Sequence, residues 1–200
     1  MKRLQIQKTY DEMFKEGGWE GVYDLPYYRS PYFPMYKAVL KQLNMLKVNT
    51  ILEVGCGTGA FAAFLIKKGG ISYSGFDFSE VAIERAKNTT GMSESFYLAD
   101  ATLLESYNGN YDAIVCTEVL EHLPQDLQVI KNWPEGIKVV CTVPNYDSDY
   151  HERYFVNEEQ VQERYGELID IKKIFRVKKP TLSDLSFRNR LRQIRWQRYN

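Results

Sequence analysis

The chain has 200 residues, of which 44% are hydrophobic and 26% are charged, with 26 basic and 26 acidic side chains. This composition is typical of a globular chain with one buried core, and the zero net charge excludes a polyelectrolyte binder as a whole. No apolar run approaches the about 20 residues that span a bilayer, and no apolar stretch follows the first three residues. We therefore expect neither secretion nor membrane insertion.

Three cysteines, Cys56, Cys116 and Cys141, are too few and too scattered for a disulfide framework or a C-x-x-C metal site. Each lies in or beside a predicted strand, where a free cysteine usually behaves as a small buried hydrophobe. This pattern favours a reducing, cytoplasmic location.

Residues 1–46 are predicted to form an aromatic cap followed by a lead-in helix. The segment is polar at first and then rich in rings from Trp19 to Tyr36, where three prolines argue against a long helix. The rings form either a fixed strap along the sheet or a lid over a ligand cleft. The apolar spacing within Tyr36–Leu46 predicts the helix that leads into the first strand.

The stretch Ile51–Phe61, ILEVGCGTGAF, predicts a buried strand that breaks into a glycine-rich turn and continues as a helix. Glycines at every second position let the backbone approach a ligand closely, and the helix start directs free N–H groups at it. The spacing is G-x-G-x-G and differs from the G-x-G-x-x-G dinucleotide fingerprint. A tight strand-to-helix turn without a ligand is the alternative interpretation.

Further strands are predicted at Ile71–Phe76, Phe96–Leu98, Tyr111–Cys116 and Val139–Val143, with helical patterns between them. This alternation predicts an α/β fold, a doubly wound, Rossmann-like and mostly parallel sheet with helices on both faces. Ligands of such folds bind at the carboxyl ends of the strands. Asp77 ends the second strand about 20 residues after the glycine turn, where an acid accepts hydrogen bonds from ribose hydroxyls. It could instead only cap the next helix, for which Ser79 is the predicted N-cap.

The segment after the fourth strand, TEVLEHLP, brings Glu118, Glu121 and His122 close together at the same edge of the sheet. The loop after the fifth strand carries His151, the second of the two histidines in the chain. A histidine at this edge is suited to take a proton from an acceptor group.

These motifs, in this order, resemble class I S-adenosylmethionine (SAM) dependent methyltransferases of the small-molecule and surface-glycan type. The resemblance covers about residues 50–155 and implies a seven-stranded type of sheet, although its final strand pair is not evident here. It implies methyl transfer from SAM to an oxygen or nitrogen nucleophile of a small molecule or glycan precursor, with S-adenosylhomocysteine as product. His122 and His151 are then the candidate catalytic bases. The cofactor-binding residues it implies are Glu53, Gly55, Cys56, Gly57, Gly59, Asp77, Phe78, Asp100, Ala101 and Thr117.

Glu118, Glu121, His122 and His151 also resemble the divalent-metal site of small-RNA 3′-end methyltransferases and of some quinone-pathway O-methyltransferases. Two carboxylates and two imidazoles suit a divalent cation. The alternative is that these side chains only cap a helix and order the cleft, and our expectation is a metal-free histidine base. A metal-dependent RNA methyltransferase and a non-catalytic SAM-binding module are the rival functions.

Residues 144–200 are predicted to follow the cofactor-binding core, residues 50–143, as a substrate-side loop, an edge strand and a basic tail. A helix is predicted at Asn157–Tyr165 and the edge strand at Leu168–Val177. Residues 172–200 carry ten Lys and Arg and one acid, so residues 1–171 have a net charge of −9. A solvated tail is favoured over a nucleic-acid contact. We expect a single domain, residues 1–200, and the sequence does not indicate an oligomeric state.

Overall fold

The computed structural model describes residues 2–177, which contain a five-stranded sheet in the order β3-β2-β1-β4-β5. All neighbouring strands are parallel. The strands are β1 (Thr50–Val54), β2 (Ser72–Asp77), β3 (Phe96–Leu98), β4 (Ala113–Thr117) and β5 (Lys138–Thr142).

Two of the helices begin with a side-chain N-cap. The Ser79 hydroxyl accepts from the backbone N–H of Ala82 at 3.1 Å, and the Asn157 side chain accepts from Gln160 N–H at 3.0 Å. The helices are α1 (Lys2–Lys15), α2 (Phe33–Met45), α3 (Ala60–Lys68), α4 (Glu80–Thr90), α5 (Asp126–Lys131) and α6 (Glu158–Tyr165).

Both faces of the sheet are covered. Alternate residues of β1 point into two separate cores, with Ile51 in one and Leu52 in the other. The first core also contains side chains of α2, α3 and α4, and the second contains side chains of α5 and α6. A parallel sheet that is buried on both sides needs near-continuous apolar strands, which is why β1 and β4 are readable from the sequence. The predicted doubly wound, Rossmann-like α/β fold is confirmed.

Three parts of the sequence interpretation need correction. The predicted edge strand at Leu168–Val177 is wrong, because these residues form a turn followed by irregular chain. The helix α1 was not predicted, although Tyr10, Met13 and Phe14 recur at helical spacing before the first proline. The predicted lead-in helix is present but begins three residues earlier, with Pro34 in its first turn. The basic stretch from residue 178 to residue 200 lies outside the described residues.

Strands β2 and β3 are added on one side of β1, and strands β4 and β5 are added on its other side. The carboxyl ends of β1 and β4 therefore form the switch point of the fold. The glycine turn follows β1, and the segment carrying Glu118 follows β4. Within residues 2–177, none of the helices combines the length and the apolar character that crossing a bilayer requires.

Candidate active site

The glycine turn is built around left-handed backbone at Gly55, Gly57 and Gly59, with φ of 70°, 52° and 77°. A Cβ at Gly55 would lie 2.4 Å from Cγ2 of Val119, in the turn after β4. A Cβ at Gly59 would lie 3.0 Å from the Cα of Ala86. These two glycines therefore allow close packing within the protein. Gly57 differs, since its Cβ would only meet the Phe14 ring at 3.9 Å.

Asp77 links this turn to the start of α4. The side chain is buried at the end of β2, its Oδ2 accepts from Gly57 N–H at 3.0 Å, and its Oδ1 accepts from Ser79 N–H at 3.0 Å. Burial raises the pKa of the carboxyl to about 6, although the backbone donors oppose that shift. Asp77 therefore holds the glycine turn in place by a direct hydrogen bond. Its binding to ribose remains a prediction.

Glu53 is buried inside the sheet and accepts a hydrogen bond from the Tyr73 hydroxyl on β2. Burial raises the pKa of this carboxyl to about 8, against the opposing effect of the Tyr73 hydrogen bond. Near neutral pH Glu53 is therefore largely protonated in this structure.

The other predicted cofactor residues lie around the same edge of the sheet. The Phe78 carbonyl accepts from the Gln7 amide at 2.9 Å, so the loop after β2 is tied to α1. Asp100 accepts from the backbone and hydroxyl of Thr102 at 2.8 and 2.9 Å and orders the turn after β3. The remaining members are Cys56, buried in the glycine turn; Ala101, whose carbonyl accepts from Tyr107; and Thr117, the last residue of β4.

Glu121 is the central residue of the segment after β4. It lies in a single 3₁₀ turn, Leu120–His122, and its side chain is fully buried. Neither carboxylate oxygen has a hydrogen-bond partner. Burial raises the pKa of Glu121 well above its ordinary value, and the nearby negative charge of Glu118 adds to the shift. A buried carboxylate without donors is costly unless a proton or a cation neutralises it.

The imidazole rings of the two histidines lie close together, and each uses Nδ1, not Nε2, for its hydrogen bond to a backbone carbonyl. Nδ1 of His122 lies 2.8 Å from the carbonyl of Tyr150, and Nδ1 of His151 lies 3.3 Å from the carbonyl of Tyr146. Because a carbonyl can only accept, each Nδ1 carries the proton and each Nε2 presents a lone pair. The ring centroids are 5.1 Å apart. Burial lowers the pKa of both imidazoles, so both are neutral near pH 7.

Glu121, His122 and His151 form one cluster, in which one ligand atom from each residue lies within 4.8 Å of the others. We call it the carboxylate–imidazole cluster. Three of the four residues predicted as metal candidates are therefore brought together. The fourth, Glu118, accepts from the Thr142 hydroxyl at 2.7 Å and has left-handed backbone, with φ of 54°.

Helix α1 covers the space between the glycine turn and this cluster. The Tyr10 ring lies 5.2 Å from the Phe78 ring and 6.2 Å from the His122 ring, measured between centroids. Phe14 is buried and packs against Tyr23 at 5.1 Å. The sequence interpretation placed only the later aromatic segment near a cleft and missed these contacts, since they depend on how α1 docks.

A cavity of about 1120 Å³ adjoins the cluster along α2 and β5. Glu118 and Tyr146 line it at the end nearest the cluster, and it extends to residues 168–177. The three cluster residues themselves do not line it.

Comparison with known proteins agrees with this geometry. Residues 51–138 match the family model described as a methyltransferase domain. A ubiquinone biosynthesis O-methyltransferase of Coxiella burnetii is 34% identical over 108 residues, covering 52% of this chain and 46% of that protein. The methyltransferase domain of bacterial CtHen1 shares the fold, with a TM-score of 0.58 and 19% identity over 70% of this chain and 84% of that domain. Residues 51–138 therefore resemble a methyltransferase domain in sequence, and the chain shares the fold of methyltransferase structures.

Two other methyltransferase structures share the fold of this domain. One is the small RNA methyltransferase HEN1, with a TM-score of 0.56 and 17% identity over 66% of this chain and 21% of that chain. The other is a magnesium protoporphyrin IX methyltransferase from Synechocystis with bound S-adenosylhomocysteine, with a TM-score of 0.51 and 16% identity over 68% of this chain and 73% of that chain. The chain spans about half the length of the ubiquinone biosynthesis enzymes that it matches.

Proposed function

We propose that the protein transfers the methyl group of SAM to an oxygen nucleophile of a small molecule or glycan precursor. The observation that carries the proposal is the convergence of the glycine turn, Asp77 and the carboxylate–imidazole cluster at one switch point of the sheet. The names of the matched O-methyltransferases support oxygen as the acceptor atom.

The residues around the glycine turn fit SAM. Gly57 leaves its cleft side open, and Asp77 lies beside it at the position suited to ribose hydroxyls. Glu53 and the turn would hold the methionine end, and the loop with Asp100 and Ala101 would contact the adenine edge. SAM supplies a methyl group made electrophilic by its sulfonium. The protein then gains rate mainly by holding the acceptor in line with that group, and such orientation supplies on the order of 7–11 kcal/mol in the best cases.

The acceptor hydroxyl must lose its proton as the new O–CH₃ bond forms and the S–CH₃ bond breaks. Where no cation occupies the cluster, Nε2 of His122 or His151 can accept that proton, which is worth about 10²–10⁴-fold in rate. With a cation bound there, the proton would pass to solvent. S-adenosylhomocysteine leaves as the neutral product.

The cluster also fits a divalent cation, and one observation favours the cation over a histidine acting alone. Both oxygens of buried Glu121 lack partners, while both imidazoles present Nε2 and are oriented through Nδ1 by backbone carbonyls. This is the usual arrangement around metal-binding histidines. A cation bound there would lower the pKa of an acceptor hydroxyl that it coordinates. We therefore propose a cation at the cluster in place of the metal-free base expected from the sequence.

Methylation of an RNA hydroxyl is a second candidate function. It draws support from the cluster and from the fold shared with bacterial CtHen1 and with the small RNA methyltransferase HEN1. The net charge of −9 on residues 1–171 favours a small molecule over a polyanion, since nucleic-acid binding depends on neutralising phosphates with basic side chains.

Methyl transfer from labelled SAM to small-molecule and RNA fractions of a cell extract tests both functions. We expect label in the small-molecule fraction, loss of transfer in EDTA and recovery with excess Mg²⁺ or Mn²⁺. The variant Glu121→Gln should lose transfer while keeping S-adenosylhomocysteine affinity, with the exposed neighbour Glu152→Gln as control. Label in RNA would move the assignment to the second candidate. Full activity in EDTA would remove the cation and leave the histidine base.

A further inference from the structure

We infer that Arg153 is a positioning residue that holds the two halves of the carboxylate–imidazole cluster together. Glu121 and His122 belong to the turn after β4, and His151 belongs to the loop after β5. Neither segment alone brings the three side chains within ligand distance. The inference rests on the proposed function of the cluster, although its test below does not depend on catalysis.

The guanidinium of Arg153 contacts both ends of the turn. Its Nη1 donates to the carbonyl oxygens of Leu120 and Leu123, at 2.6 Å each. These two residues immediately flank Glu121 and His122. The Arg153 side chain is only 15% exposed, so water competes little for these carbonyls. Each carbonyl also accepts one longer backbone hydrogen bond, that of Leu120 from Leu123 N–H at 3.3 Å and that of Leu123 from Asp126 N–H at 3.2 Å. The guanidinium supplies several donors at once and adds a shorter bond to both.

The guanidinium is itself held by a buried acid. Nη1 of Arg153 lies 3.3 Å from Oδ2 of Asp126, whose side chain is fully buried. Arg164 on α6 binds the same carboxylate through two hydrogen bonds of 2.7 and 2.8 Å, and the Tyr165 hydroxyl adds a third at 2.9 Å. Asp126 is therefore fixed from α6 even without Arg153. Asp126 therefore fixes the position of the Arg153 guanidinium, and Arg153 in turn holds the turn Leu120–His122.

Two further links between the segments are made by the backbone and by the cluster itself. Glu152 N–H donates to the Glu121 carbonyl at 2.7 Å, and Nδ1 of His122 donates to the Tyr150 carbonyl. Arg153 is thus the side chain whose removal loosens this junction without altering a cluster residue. Its loss should let the His151 loop move away from Glu121 while the glycine turn and Asp77 keep their contacts.

The chain contains two histidines, so an imidazole NMR spectrum reports on the cluster without overlap. In the wild-type protein we expect ring-to-ring NOE contacts, because the ring centroids are 5.1 Å apart. In Arg153→Met the NOE should disappear, because the His151 loop is no longer held against the turn. Arg176→Met is the matched control, since Arg176 donates to the Val156 carbonyl on the same loop segment but not to the turn.

A second measurement uses Mn²⁺ alone as the probe. Arg153→Met should raise the half-saturating Mn²⁺ concentration about 10–100-fold, the usual cost of losing a group that orients metal ligands, with S-adenosylhomocysteine affinity unchanged. Arg153→Lys, which keeps the charge beside Asp126, should recover part of both signals and replaces the methionine variant if that variant does not fold. An unchanged NOE in Arg153→Met would overturn the inference. Absence of Mn²⁺ binding in the wild type would instead remove the proposed cation and leave the NMR test decisive for Arg153.

Discussion

Asp77 has a structural role in the glycine turn and a proposed role in binding the ribose. Its carboxylate already accepts from the Gly57 and Ser79 backbones, and a bound ribose would share the same oxygens. We predict that Asp77→Ala weakens S-adenosylhomocysteine binding by about 1.5–3 kcal/mol, the scale of hydrogen bonds to a charged group. The variant should also lower the melting temperature of the free protein, because the turn loses its support. Calorimetry and thermal unfolding measure the two effects.

The matched control for this prediction is Asp112→Ala. Asp112 also accepts from two backbone N–H groups, those of Asn49 and Thr50 at 2.8 and 3.0 Å, but at the opposite edge of the sheet. It should leave S-adenosylhomocysteine affinity unchanged. Equal losses of affinity in the two variants would mean that Asp77 acts through general stability and not at the ligand.

The individual site residues differ in how far the sequence predicted them. Gly55, Gly57 and Asp77 follow strands that can be recognised from apolar runs, so their common edge follows from topology. His151 lies 29 residues after His122, and strand topology placed both at the same edge, while their pairing in one metal site came from the family resemblance. Arg153 gave no signal in the sequence, because its partners are backbone carbonyls and a buried acid whose positions depend on the folded loop.

Among the secondary-structure elements, α1 and the turns that follow it are bonded to α4 through one side chain, that of Arg85. Arg85 donates to the carbonyls of Phe14 and Tyr23 and pairs with Asp24. We predict that Arg85→Met raises the amide exchange of residues 7–24 and weakens S-adenosylhomocysteine binding severalfold, because the segment covering the glycine turn is released. Hydrogen exchange by mass spectrometry and calorimetry measure these changes.

Lys87→Met, on the same helix, serves as the control for that prediction. In the wild type, slower exchange of residues 7–24 on adding S-adenosylhomocysteine would support a lid. Equal protection with and without ligand would support a fixed strap. Unchanged exchange in Arg85→Met would mean that apolar packing of Phe14, not Arg85, holds the segment.

Among the elements, the sequence predicted buried parallel strands well and amphipathic surface segments less well. Strands that are covered on both faces need continuous apolar residues, and short runs such as that of β4 satisfy this. Alternation within Leu168–Val177 suggested a strand, but a strand also needs a neighbour, and no pairing partner exists for it among residues 2–177. The helix α1 was missed because its apolar face is completed only by contact with α4 and the glycine turn.

For the whole molecule, two buried carboxyls make stability depend on pH. The pKa values of Asp77 and Glu53 in the folded protein are about 6 and about 8, above their ordinary values. At each of these two groups the folded state therefore binds more protons than the unfolded state, so their stabilisation is complete at low pH and is lost as pH rises through 6 and then 8. Glu121, whose pKa burial also raises, acts in the same direction, whereas the lowered pKa of His122 and His151 acts in the opposite one. We predict that the free energy of unfolding falls between pH 5 and pH 9.

Urea unfolding at several pH values measures this fall in the free energy of unfolding. The variant Glu53→Gln isolates the part of the fall that occurs between pH 7 and pH 9. The amide keeps an acceptor for Tyr73 and cannot ionise, so the variant should gain stability over the wild type as pH rises from 7 to 9. Glu80→Gln, on the exposed start of α4, is the control and should follow the wild-type profile. Parallel profiles for Glu53→Gln and the wild type would show that Glu53 does not titrate in this range.

The contact between Gly55 and Val119 has a consequence for how such a site can evolve. Val119 occupies the volume that a side chain at Gly55 would need, with only 2.4 Å between its Cγ2 and the missing Cβ. The glycine turn, proposed to hold the methyl donor, and the turn after β4, proposed to activate the acceptor, are therefore shape-matched to each other. A substitution in the turn after β4 that changes the acceptor must therefore still fit against Gly55. The wall of the cavity along α2 and β5 does not have this constraint, so we expect new acceptor specificities to arise there more readily.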